Sequence, residues 1–120
     1  MLTVKEKGIL ECILEHCSNI NEAIVSINQS DFVNNKIIQN SVCFDLLQIG
    51  ELAKKFDPNF IKEYGNSPWK DIKGMRDKIV HGYDTLLIDK VWRTATEDIK
   101  PIKEYCESII EKNTWKQHQN

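Results

Sequence analysis

The sequence predicts an all-α fold, an up-and-down helical bundle of four main helices plus one short helix. Three observations carry this. Apolar residues recur at alternating spacings of three and four, the repeat of one helix face. No stretch alternates apolar and polar residues as a half-buried strand would, and the β-branched residues fall at helical spacing. Helix starts and stops are marked by capping residues, Pro and Gly.

The first helix opens at "TVKE", a capping box with Thr3 as N-cap and Glu6 reaching back. Ile9, Ile13, Cys17, Ile20, Ile24 and Ile27 follow as one stripe of more than five turns, a length that suits a bundle. Ser30 or Asp31 is placed to cap a second helix running to about Lys55, with Val42, Leu46, Ile49, Ala53 and Phe56 on one stripe. Ile37, Phe44 and Leu47 widen that stripe, and so broad an apolar surface has two neighbours to satisfy, the core and a second subunit. Asp57, Pro58 and Gly65 bracket the short helix. Ser67 before Pro68 starts the next helix, which runs to about His81 and ends at Gly82. "DTLL" is a connector, and Asp89 caps a last long helix marked by Trp92, Ala95, Ile99, Ile102, Cys106 and Ile109. Pro101 removes a backbone hydrogen bond inside that helix and is expected to kink it near Asp98. The bundle domain is assigned to residues 1–112, and residues 113–120 form a loosely held polar tail.

A chain of 120 residues makes a single domain with one core. Its formal charge of −2 means that contact with nucleic acid must come from a local patch. Cys12, Cys17, Cys43 and Cys106 form no C-x-x-C pair and lie on or beside apolar stripes, as reduced thiols of a cytoplasmic protein do. No zinc-ligand spacing occurs, and no metal or cofactor is expected. Lys5 and Lys7 interrupt the apolar start, which argues against a signal peptide, and no apolar run is long enough to span a membrane.

The stretch "RDKIVHGY", residues 76–83, holds one of two arginines, one of three histidines and one of three tyrosines. At about 100° per residue, Trp69, Lys73, Arg76, Val80 and Tyr83 share a face, and Ile72, Met75 and Ile79 form the neighbouring core side. His81 sits about 140° from Arg76. One helix therefore does not aim both at the same point unless it unwinds at Gly82, whereas two copies crossing at a two-fold axis bring both to one cleft. Asp77 lies one turn before His81 and is placed to orient the imidazole. The plainer alternative is a helix end with a C-terminal His, a salt bridge from Arg76 to Asp77 or Asp84, and Tyr83 half-buried for packing.

Arg76, His81 and Tyr83 reproduce a motif of Arg, four variable residues, His, any residue and Tyr. Around them, "PWKDIKGMRDKIVHGYDTLLIDKVW" and, upstream, "QNSVCFDLLQIGELAKKF" with its Ile-Gly-Glu extend the likeness over nearly the whole chain. The sequence resembles the HEPN superfamily, and within it the HepT-like toxins. Asp77 stands where the family often has Asn. The resemblance implies a HEPN-like bundle and a metal-independent endoribonuclease in a type VII-like toxin–antitoxin pair. It would act as a homodimer on RNA, leaving a 2′,3′-cyclic phosphate. It further implies Arg76 and His81 as catalytic residues, Asp77 and Tyr83 in support, and a cognate MntA-type nucleotidyltransferase antitoxin that adenylylates Tyr83. Lys73 and Lys78 are candidate RNA-binding residues, with Lys70, Lys90 and Arg93 on the same basic rim. The alternative from a different class is a non-catalytic adaptor for a minimal nucleotidyltransferase.

Overall fold

The computed structural model describes residues 2–65, 68–82 and 88–119, with side chains through Thr114. Among these residues the chain is all-α, without a strand. The helices are α1 (Val4–Ile24), α2 (Gln29–Val33), α3 (Lys36–Ala53), α4 (Pro58–Tyr64), α5 (Trp69–Gly82), α6 (Ile88–Arg93) and α7 (Ile99–Gln119). Helix α1 lies between α3 and α7, and α5 packs on the far side of α3. The smallest dimension, 18 Å, is under two helix diameters, so the core is a single seam between two layers.

The predicted capping box is present: Glu6 N donates to Thr3 Oγ1 and Thr3 N to Glu6 Oε2, both at 3.1 Å. Ile9, Ile13, Cys17 and Ile20 are buried as their spacing requires, against Val42, Leu46, Ile49, Ile99, Ile102, Cys106 and Ile109. Burial of each such aliphatic side chain contributes about 1.5–3 kcal/mol, and this seam fixes where α3 presents its other faces.

The second helix differs from expectation. Asn28, rather than Ser30 or Asp31, caps a five-residue α2, with Asp31 as the return partner of its capping box. A separate α3 then starts with Asn35 accepting from Ile38 N at 3.1 Å. Gln39 makes the break possible. Its side-chain amide donates to the carbonyls of Phe32 and Val33 at 2.8 and 2.9 Å, satisfying backbone acceptors that an uninterrupted helix would have used.

The last helix also departs in detail. Asp89 falls within the first turn of α6, not before it, and the strain of Pro101 is absorbed upstream as a π-helical turn over Thr94–Asp98. Pro101 has no N–H for the Glu97 carbonyl, and its ring crowds that oxygen. The turn widens accordingly, so that Ile99 N donates to Thr94 O, five residues back. The expected loose tail does not begin at Asn113. Helix α7 continues to Gln119, and buried Asn113 accepts from Leu2 N at 3.2 Å and donates to Ile109 O at 2.7 Å.

Cys17, Cys43 and Cys106 are buried free thiols and Cys12 is exposed. Burial pushes the first three up to about 12, 11 and 12, which makes them packing groups rather than nucleophiles. No helix among the described residues is long and apolar enough to cross a membrane.

Candidate active site on the fifth helix

An aromatic cluster anchors the start of α5. Phe56 stacks on Phe60 at 3.9 Å between ring centroids, Trp69 packs against both, and Tyr105 meets Trp69 edge-on at 5.9 Å. Trp69 Nε1 also donates to Tyr64 O at 2.6 Å. From that anchor α5 runs antiparallel to α3. Its N-terminal residues Trp69 and Lys73 share a groove with Ala53 and Lys54, and Arg76 lies against Gly50 one turn earlier in α3.

Gly50 is what lets Arg76 reach its position. A β-carbon there would fall inside contact distance of Arg76 Cβ and 2.7 Å from Cγ. Glycine costs a helix interior about 1 kcal/mol relative to alanine, and here it permits the close approach of two helices. Gly50→Ala is expected to push α5 off α3, destabilise the fold by about 1–3 kcal/mol and depress any activity that depends on Arg76. Urea denaturation checks the first part; an unchanged midpoint would mean that α5 yields freely.

The guanidinium is held from two sides. Arg76 Nε donates to Glu51 Oε1, and Nη1 donates to Asp77 Oδ1 at 2.9 Å. The Arg76 hydrogen bond holds the Glu51 carboxyl below its ordinary 4.5, with Lys54 and Lys55 adding to the effect. The second hydrogen bond of Arg76 holds Asp77 below 3.8, helped by the charges of Lys73 and His81. Asp77 and then Glu51 raise Arg76 in return. Because the carboxyl values are depressed in the fold, the clamp is fully charged at neutral pH and weakens only as pH falls through the lowered values. An arginine carries five N–H donors, and these two bonds take two of them, leaving a fork that can still meet an anion.

The sequence placed Asp77 beneath His81 as its orienting group. In the structure Asp77 Oδ1 accepts from Arg76 Nη1, the salt bridge of the plainer alternative, and His81 acts on Asp77 only through its charge. His81 is exposed in the last turn of α5, which stays helical through Gly82. The helix does not unwind there, so the 140° divergence of the two side chains stands within one protomer. Tyr83 and Asp84 lie outside the described residues. Of the basic candidates, Lys73 sits on the Arg76 side of α5. Lys78 lines a different groove, of about 320 Å³, between α5 and the π-turn, together with Asp71 and Asp98. Lys90 and Arg93 belong to the last turn of α6.

Sequence reasoning missed Gly50 and Glu51 as neighbours of Arg76, and Lys54 and Lys55 as charges acting on Glu51. A glycine inside a strong helical stripe was the available signal. Among the described residues no group of three or more His, Cys, Asp and Glu side chains is arranged to hold a metal ion.

The comparisons decide the family. The model of the family described as "Ribonuclease HepT-like" matches residues 13–109, an interval that contains the whole α3–α5 pairing and the Arg76–His81 segment. The chain belongs to the HepT-like ribonuclease family. A Methanocaldococcus jannaschii protein named "Putative RNase" is 36% identical over 104 residues, covering 87% of this chain and 86% of that one. A Thermococcus cleftensis protein named "Probable ribonuclease HepT" is 33% identical over 103 residues, covering 86% and 94%. A further "Putative RNase", from Caldanaerobacter subterraneus, is 31% identical with 86% and 92% covered. No solved structure matches at a significant level. This HepT-like chain thus has a family-level assignment as a ribonuclease, and Arg76 and His81 are the residues to test for it.

Proposed function

We propose that this HepT-like protein is a metal-independent endoribonuclease whose site is shared by two subunits. The observation that carries the reading is the placement of Arg76 and His81 on one unbroken helix, pointing about 140° apart, which a two-fold partner can bring together. Exposed apolar side chains lie on the two helices that carry the site. Ile37 and Phe44, 81% and 56% exposed, stand seven residues apart on the face of α3 that leads to Glu51, and Val80, 46% exposed, follows Arg76 by one turn. Large side chains in such a row favour a covering surface, and a second copy would supply one.

The chemistry uses the substrate's own nucleophile. An imidazole of His81 takes the proton of the ribose 2′-hydroxyl, whose oxygen attacks the adjacent phosphorus. The bond from phosphorus to the 5′-oxygen breaks, and the imidazolium formed by taking the first proton gives that oxygen its proton. Arg76 binds the phosphate and stabilises the added charge of the five-coordinate transition state. The products are a 2′,3′-cyclic phosphate and a 5′-hydroxyl end.

The family likeness extends this to a toxin–antitoxin pair acting in the cytoplasm, in which a partner nucleotidyltransferase adenylylates Tyr83. A bulky anion added within the motif that also holds Arg76 and His81 would compete with RNA for the arginine and repel the strand. The double salt bridge of Arg76 favours one other reading. An arginine already held by two carboxylates also suits a non-catalytic adaptor that positions a nucleotidyltransferase. RNA incubated with the purified protein in excess chelator separates the two. The nuclease reading expects cleavage with cyclic-phosphate and 5′-hydroxyl ends; intact RNA, or 5′-phosphate ends, contradicts it.

A further inference from the structure

Beside the Arg76 clamp, a groove of about 480 Å³ runs between the end of α3, α4 and the start of α5. Its described lining contains three lysines, Lys54, Lys70 and Lys73, and no acidic residue. Phe56 and Trp69 form part of its floor, and Gly50, which lies under Arg76, forms its inner end. On a chain of net charge −2, a cationic groove of this kind is a local exception. All three lysines are exposed, so their ammonium groups reach a ligand without prior burial.

We propose that this groove is an RNA subsite that takes the phosphodiester backbone of the strand next to the bond being cut. The inference rests on the nuclease reading for the scissile phosphate at Arg76 and adds the path of the strand beyond it. From Arg76, Lys73 and Lys70 step back along α5 by about 4.5 and 9 Å, turning by about 60° each time toward the groove. Lys54 faces them from α3 across the opening. The strand leaves the clamp toward the start of α5, away from His81. Lysines bind phosphate as point charges without reading bases, so the subsite favours single-stranded RNA of any sequence. Lys70 stands between this groove and the second one, which it lines together with Lys78; there Asp71 and Asp98 balance the two lysines, so the second groove does not offer a polyanion the same net attraction. Glu51 and Asp77 offset the charge of Arg76 locally, so these lysines supply the positive potential that brings a phosphate to it.

The test is single-stranded RNA binding as a function of salt, by fluorescence anisotropy, in a His81→Ala background that prevents cleavage. Three proteins are compared: that background, the same with Lys54→Gln, Lys70→Gln and Lys73→Gln, and the same with all three lysines changed to Arg. Each phosphate contact contributes about 0.7 to the slope of log K against log salt for single strands. The Gln triple is expected to lower the slope by about 1.4–2.1, and the Arg triple to retain it. In the cleavage-competent protein, lengthening the oligonucleotide on one side of the cut lowers KM; the Gln triple loses that gain. An unchanged slope in the Gln triple overturns the subsite, as does an Arg triple that fails like the Gln triple. Lysine-dependent RNA binding without any cleavage by the His81-containing protein would leave the groove standing and remove the nuclease reading. Absence of RNA binding altogether removes both.

Discussion

His81→Ala is expected to lower RNA cleavage by about 10²–10⁴-fold, the usual contribution of a positioned general acid or base. His81 is exposed at the end of α5 and contributes nothing to the core, so the substitution leaves the fold and its thermal midpoint in place. The loss falls on kcat, because the imidazole moves protons and does not anchor the strand. His81→Gln keeps a polar side chain of similar reach without a titrating ring, and it is expected to be as inactive as the alanine variant. Cleavage by either variant at more than a tenth of the parent rate would take His81 out of the mechanism.

Arg76→Ala is expected to cost about 10²–10³-fold, the effect of removing one donor from a site of developing negative charge. This residue has a structural partner as well, so its consequences must be told apart. Loss of the guanidinium frees Glu51 and Asp77 and leaves two carboxylates beside the site, which oppose a phosphate and raise KM as kcat falls. Arg76→Lys retains charge and loses the planar fork, and it is expected to recover binding more than turnover. Glu51→Gln is the informative control. It relaxes the clamp while leaving Arg76 in place, so RNA binding improves if the carboxylate competes with phosphate for the guanidinium. If Arg76→Ala cut RNA at the parent rate, the residue would be a surface ion pair and no more.

Much of this was legible in the residues. The capping box at Thr3 and Glu6, the long isoleucine stripe of α1, and the Pro and Gly brackets of α4 are local signals that the structure repeats. The division of α2 from α3 was not legible, because the apolar pattern continues through Phe32 and Ile37 while the break depends on the Gln39 side chain turning back to Phe32 and Val33. Asn113 misled for a related reason. A polar residue reads as surface, yet its amide is satisfied between Leu2, Ile109 and the Tyr64 hydroxyl, from segments far apart in the chain. At the candidate site the motif named Arg76 and His81, but nothing in the order of residues tied Arg76 to Glu51. That tie arises from the antiparallel crossing of α3 and α5, which brings together residues 25 apart, and Gly50 is its trace in the sequence. Asp77 had two readings, as the orienting group of His81 from its one-turn spacing and as a salt-bridge partner of Arg76; the structure shows the second, with Arg76 Nη1 donating to Asp77 Oδ1.

The shared site is tested most directly by mixing two inactive proteins. Arg76→Ala and His81→Ala subunits, combined in equal amounts and allowed to exchange, form mixed dimers. If each site draws its arginine and its histidine from different subunits, a mixed dimer has one complete site and one with neither residue. Half of the dimers are mixed under random exchange, so RNA cleavage is expected to return to about a quarter of the parent value. A mixture no more active than its two components, with subunit exchange verified by native mass spectrometry, would contradict a site built across the seam.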